Sequence, residues 1–199
     1  MNDESPIWQN NKTLATIPEK KRKRNPNIAL SEAQIRGLLN SIDNLKYHTM
    51  IALGLTIGCR ISEIVSITLN NVDFERNRIV IWDEKKDLWR PTMPTLTALN
   101  EVKRFINTVQ PKKFLFDTST KTLERRIQEY SLKGLGFIIS WHSIRTTYIT
   151  RSVELEIPPA IVCMNTGDSP ATILKYYTKM SEYKMREYIE KKDILKDII

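Results

Sequence analysis

Apolar positions first fall into helical spacing at Ile35, Leu38, Leu39 and Ile42. Just ahead of them, Leu30-Ser31-Glu32-Ala33-Gln34-Ile35 reads as a helix start: Ser31 caps, Gln34 closes a capping box and Leu30 is set to staple against Ile35. The folded unit therefore begins close to residue 28. Leu45, Met50, Ile51, Leu53, Leu55 and Ile57 predict a second, more buried helix, which Gly58 ends as a left-handed cap. A short helix with Ile61, Ile64 and Val65 on its apolar face follows. Between residues 72 and 94 the period shortens. Val72-Asp73-Phe74, Arg78-Ile79-Val80-Ile81-Trp82 and Leu88 to Pro94 predict a small antiparallel sheet, with turns at 75–77 and 83–87. Helical spacing then returns from about Thr95 to Thr108, with Leu96, Leu99, Val102, Phe105 and Ile106 inward, and again from Thr118 to Tyr130 around Leu123 and Ile127. Phe114-Leu115-Phe116 between them reads as a short buried connector, and Lys133 to Ser140 as a loop whose two glycines are turn residues. The last helices run from Ser140 to about Leu155, from Pro159 to Thr166 with Gly167 as the stop, and from Ala171 to Tyr177. A helical tail extends from about 180. The predicted class is α+β, mainly α: a helical bundle with a three-stranded antiparallel sheet at one edge.

Composition adds three constraints. With 41% apolar residues in 199, the chain can bury the core of one generous domain. The net charge of +8 favours a polyanionic partner, and residues 1–27, which include the run Lys20-Lys21-Arg22-Lys23-Arg24, carry a net +3 of it. That segment, which also holds Pro6, Pro18 and Pro26, reads as a flexible basic arm lying along phosphates; the folded domain and its tail occupy 28–199. Cys59 and Cys163 have no metal-ligand spacing and read as buried thiols of a reducing compartment. The first residues hold no apolar signal segment and no apolar run approaches a membrane span, so a soluble intracellular protein with no membrane partner is expected.

The candidate chemistry lies mainly between Trp141 and Tyr177. His142 and Arg145, three apart, share one helix face, which Tyr148 and Arg151 extend. Arg60 follows the Gly58 turn at a helix start, where a guanidinium can fork two phosphate oxygens. Lys85 and Lys86 sit at a hairpin tip, and Tyr176 and Tyr177 at the end of a helix. Arg125 and Arg126 form a basic pair on another helix, expected on the face that meets the polyanionic partner.

Gly58-Cys59-Arg60-Ile61-Ser62-Glu63-Ile64, with Trp141-His142-Ser143-Ile144-Arg145 and Gly167-Asp168-Ser169, resembles the catalytic domain of the tyrosine recombinases, the phage-integrase family of DNA strand-exchange enzymes. The resemblance covers about residues 28–180. It implies double-stranded DNA as partner, self-association as a tetramer on paired sites, no cofactor and no metal. It also implies a 3′-phosphotyrosyl intermediate from which a 5′-hydroxyl leaves. By the same likeness Arg60 and Arg145 clamp the phosphate, His142 assists proton transfer, and Lys86 protonates the leaving oxygen, with Lys85 one register step away. Tyr177 is the implied nucleophile, because it stands nine positions after Asp168 as the family's tyrosine stands after its histidine; Tyr176, Tyr183 and Tyr188 are fallbacks.

Two departures qualify the likeness. Asp168 occupies a position where the family holds a histidine or tryptophan, and an ionised aspartate repels phosphate. Either the carboxylate is turned away, with Asp168 or Ser169 capping the next helix, or it is protonated or bridged to a neighbouring cation, or the enzyme is slowed or dead; capping is the expected arrangement. In addition, family members carry a core-binding domain before the catalytic one, which implies either a fragment here or a minimal recombinase whose basic arm replaces it. The alternatives are a type IB topoisomerase-like enzyme that relaxes supercoils and a catalytically weakened DNA-binding regulator of the same fold.

Overall fold

Capping at Ser31 sets the start of the first described helix. Its hydroxyl accepts from the Gln34 amide, and the Gln34 side chain accepts from the Ser31 amide at 2.9 Å, which satisfies two otherwise orphaned donors of α1 (Glu32–Asn40). The computed structural model describes residues 28–178 and 182–192, so the basic run Lys20–Arg24 and residues 193–199 of the tail lie outside the described residues. The amide of the buried Leu30 donates to Thr147 Oγ1 at 2.9 Å, tying the chain's entry to a much later helix.

α2 (Leu45–Ile57) is the central helix, with Tyr47, Met50, Ile51, Leu53 and Ile57 all buried. It packs between α4 (Leu96–Val109) and α6 (Trp141–Glu154), which is why it is apolar nearly all round. Gly58 ends it with φ 57°, and a Cβ there would lie 2.3 Å from Tyr148 Cδ1, so both backbone and space demand glycine. α3 (Ile61–Ser66) starts directly after Arg60.

The sheet has the order β1 (Val72–Asp73), β2 (Arg78–Asp83), β3 (Leu88–Thr92), antiparallel throughout. The register pairs Ile81 with Arg90 and Trp82 with Trp89. Alternation along β2 points Ile79, Ile81 and Asp83 inward, and along β3 Arg90 and Thr92. Two charged residues thus occupy buried positions of the pleat, where β3 meets α7 (Pro159–Thr166).

Most apolar side chains join one core built from α1, α2, α4 and α5 (Thr120–Leu135), with Trp141 and Ile144 of α6. A second, smaller cluster gathers Tyr148, Ile149, Val162 and Ile173 beneath α7 and α8 (Pro170–Tyr177). α6 runs through both clusters. α9 (Glu182–Lys191) follows.

Four details differ from the sequence expectation. Leu96, expected inward, is 63% exposed, because it is the first residue of α4 and precedes the turn that reaches the core. Phe114 is exposed while Leu115 and Phe116 are fully buried, Leu115 being pinned through its amide to the Ile67 carbonyl at 2.7 Å. The expected loop from Lys133 is still helix as far as Leu135. Gly134 sits inside α5 because a side chain there would press within 2.5 Å of the Gly37 carbonyl on α1, so its smallness serves helix packing. Cys163, expected to be buried, is half-exposed, whereas Cys59 is buried as expected.

Candidate active site

The turn after Gly58 places Arg60 as the N-cap of α3 in extended conformation. Its amide donates to Glu63 Oε2 at 2.6 Å, and its Nη1 donates to Glu63 Oε1 at 2.7 Å and to Asp83 Oδ1 at 3.2 Å. The turn itself is held from α6: Trp141 Nε1 donates to the Cys59 carbonyl at 2.8 Å, and Arg145 Nη1 donates to the Gly58 carbonyl at 2.5 Å. Arg145 Nη2 lies 2.6 Å from Asp168 Oδ1, and the same oxygen is 3.6 Å from Arg60 Nη2. A single carboxylate oxygen therefore stands between the two guanidinium groups.

Behind this front pair lies Arg90. Its Nη2 donates to Glu63 Oε2 at 2.9 Å, its Nη1 to the Met164 and Asn165 carbonyls, and its Nε faces Asp83 Oδ2 at 3.6 Å. Three guanidinium groups and three carboxylates thus interlock with no net charge. Burial is the largest single influence and acts to lower the Arg60 pKa, but Glu63, Asp83 and Asp168 together outweigh it, so the guanidinium is held above its ordinary value. The Arg60 guanidinium therefore stays charged at any working pH.

A cavity of about 540 Å³ opens over the arrangement, lined by Arg60, Arg145, His142, Lys85, Asp168 and Tyr176 among others. His142 is exposed at its rim, one turn before Arg145 on α6. Glu124 of α5 also reaches it. Because Ser140 makes no side-chain cap, the Glu124 carboxylate takes its place, accepting from the Trp141 amide at 3.1 Å where α6 begins.

Arg60, Arg145 and His142 thus stand together. Asp168 belongs to the same cluster: of the two residues expected to cap the next helix it is Ser169 that does so, and Asp168 takes the alternative of bridging to neighbouring cations. Ser169 caps α8 by accepting from the Thr172 amide, and the Asp168 carboxylate turns to the arginines instead. The lysine at the cavity is Lys85, one position before the expected Lys86. The turn over 84–87, with Asp87 at φ 53°, points Lys85 into the cavity, and the Lys86 charge acts on the Cys163 thiol instead. Tyr177 donates its hydroxyl to the Ile157 carbonyl and packs on the second cluster, whereas Tyr176 lines the cavity. Neighbouring helix positions point about 100° apart, so the two rings cannot face the cavity together. Tyr148 is buried and bonded to Asn165 at 2.9 Å, which removes it from the site.

Arg125 and Arg126 lie away from the cavity, each paired with Glu129, at 3.3 and 2.8 Å. The side chains of Tyr183 and Tyr188 lie outside what the structure describes. Glu63 enters the sequence reading only as part of the Arg60 motif, with no role of its own, and Asp83 and Arg90 not at all, although the strand alternation signals the latter two: both share the inward parity of Ile79, Ile81 and Thr92. Among the described residues no group of three or more His, Cys, Asp or Glu side chains is placed to hold a metal, and no helix is long and apolar enough to cross a membrane.

The phage integrase family matches residues 29–183. The chain belongs to the phage integrase family. Curated members similar to it include the tyrosine recombinase XerA of Pyrococcus horikoshii, 24% identical over 197 residues that cover 91% of this chain and 69% of the relative. XerA of Saccharolobus solfataricus is 27% identical over 173 residues, covering 87% of this chain and 58% of that protein. Among solved structures, the crystal structure of XerA recombinase superposes with a TM-score of 0.72 at 19% identity, covering 88% of this chain and 67% of that one. XerH recombinase bound to its difH substrate in a pre-cleavage complex superposes at 0.66 and 16% identity, covering 83% and 54%. The fold is that of the tyrosine recombinases: mainly helical, with the small antiparallel sheet expected from the sequence.

Proposed function

We propose that this chain cuts and rejoins double-stranded DNA at specific sites through a transient bond between a tyrosine and a DNA 3′-phosphate. The supporting observation is the convergence of Arg60 and Arg145 on one oxygen, the geometry that would neutralise a single phosphate. In cleavage the tyrosine oxygen attacks phosphorus, the bond to the 5′-oxygen breaks, and the departing oxygen takes up a proton. Lys85 at the cavity supplies that proton, and His142 helps to accept the one the phenol loses. Attack by a free 5′-hydroxyl on the phosphotyrosine reverses these steps and restores the tyrosine, so the energy of the broken bond is conserved. Exchange between two duplexes breaks four strands, which calls for a tetramer of protomers on paired sites. Acting on DNA, the protein works inside the cell.

The family spacing assigns the nucleophile to Tyr177. As the last residue of α8 it sits where a helix opens most easily, and a turn of about 100° brings it to where Tyr176 now stands. A nicked duplex with a 5′-bridging phosphorothiolate, analysed on a denaturing gel, tests the assignment. The wild type and Tyr176→Phe should give a covalent band, and Tyr177→Phe none. The opposite pattern of the two variants would move the nucleophile to Tyr176. No band from any protein would favour a DNA-binding regulator that keeps the fold, a second reading supported by the Asp168 carboxylate between the arginines.

A further inference from the structure

The Asp168 carboxylate occupies the position an incoming phosphate oxygen would need. Its Oδ1 is 2.6 Å from Arg145 Nη2 and 3.6 Å from Arg60 Nη2, and its side chain is only 18% exposed. We propose that Asp168 is an internal anion that competes with the substrate phosphate for the Arg60–Arg145 pair and holds the free protein in a closed, resting state. The proposal deepens the function given above and rests on it for the identity of the competing anion.

Charge and placement support it. Glu63 and Asp83 already neutralise Arg60 and Arg90 from behind, so Asp168 removes the last positive charge of the front pair. A phosphate approaching this neutral cluster gains little until the carboxylate withdraws, and gains a full unit of positive charge once it does. Asp168 is well placed to withdraw. It follows Gly167, which is at φ 73°, it precedes the Ser169 cap, and its own amide is anchored to Thr166 Oγ1 at 3.2 Å. The side chain can therefore swing by rotation about its own bonds while α7 and α8 keep their caps. The helix cap does not depend on it, because Ser169 performs that task.

Inorganic sulfate, a dianion of phosphate shape, tests the competition without DNA. Binding is followed by the indole N–H signal of Trp141, which lines the same cavity. Asp168→Asn keeps the shape and removes the charge, and it should bind sulfate at least tenfold more tightly than the wild type. Asp168→Ala should shift in the same direction, and adding Arg145→Met to Asp168→Asn should abolish the gain. Equal sulfate affinity in the wild type and both single variants would overturn the proposal. So would failure of both variants to fold, since the carboxylate would then be a structural tie that cannot leave. The outcome is independent of strand cleavage: tighter sulfate binding without any covalent DNA complex keeps the competing carboxylate and removes the recombinase function, and the converse pattern does the reverse.

Discussion

Arg90 shows how much of the site is carried by residues that never reach the cavity. It is 6% exposed, compensates Glu63 and Asp83 together, and holds the Met164 and Asn165 carbonyls at the end of α7. Replacing one partner of a buried ion cluster leaves its neighbours uncompensated, which typically costs about 3–5 kcal/mol, far more than loss of an exposed pair such as Arg36–Glu32. Arg90→Leu should therefore lower unfolding stability by about 3–5 kcal/mol in a urea titration, and Arg36→Ala by less than about 1 kcal/mol. Cys59 lies beside the same cluster. Burial, reinforced by the Glu63 charge, pushes its thiol from 9.0 up to about 12. The folded state thus holds this proton at a pH where the unfolded chain gives it up. The stability it contributes is complete below about pH 9 and is lost as pH rises toward 12. Urea titrations across that window should show the wild type losing stability faster than Cys59→Ala. A thiol reagent near neutral pH should label half-exposed Cys163 in the native protein and Cys59 only after unfolding.

At the scale of elements, the β2–β3 hairpin is the part whose register decides which lysine lines the cavity. Trp82 and Trp89 face each other across the strands, with ring centroids 5.3 Å apart, and fix the pairing just below the turn that aims Lys85 at the cavity. Loss of a general acid typically costs about 10²–10⁴-fold in rate. Lys85→Ala should lose cleavage on that scale with an ordinary phosphodiester and recover it with a 5′-bridging phosphorothiolate, whose thiolate leaves without a proton. Lys86→Ala should stay near wild type with both substrates, and the opposite result would return the role to Lys86. The same hairpin marks where the sequence stopped being legible. The helix start at Ser31 and the stops at Gly58 and Gly167 are local signals, written in the residues that make the caps, and they were readable, whereas the Asn44 cap of α2 emerged only from the fold. A one-residue choice between Lys85 and Lys86 depends on how a turn closes, and Asp87 at positive φ gives no sequence warning of it. Gly134 misled for a related reason: glycine marks both turns and close helix contacts, and only the presence of Gly37 opposite decides between them. Arg60, His142 and Arg145 were identifiable because each lies in a local motif; the three carboxylates that pair with the arginines come from α3, β2 and the α7–α8 junction, so only the fold could assemble them.

For the whole molecule the decisive quantity is where the net charge of +8 is available to DNA. Within the domain many cations are already spent on local partners: Arg60, Arg90 and Arg145 on the buried carboxylates, Arg125 and Arg126 on Glu129, Arg104 on Glu101, Arg151 on Glu154. The run Lys20-Lys21-Arg22-Lys23-Arg24 holds five adjacent cations, with Glu19 as the one acidic residue next to it in sequence, and under the proposed function it would supply the long-range attraction to the phosphate backbone. Each phosphate neutralised releases condensed counterions and steepens the fall of affinity with salt by about 0.9 in log–log slope on duplex DNA. Replacing the five basic residues by glutamine should therefore flatten that slope by up to about 4.5, measured by fluorescence anisotropy on a duplex of arbitrary sequence. The discrimination between a preferred site and that duplex should change little, because backbone contacts carry no base information. A slope unchanged by the substitution would show that the arm does not touch phosphate, leaving the domain surface as the source of the attraction.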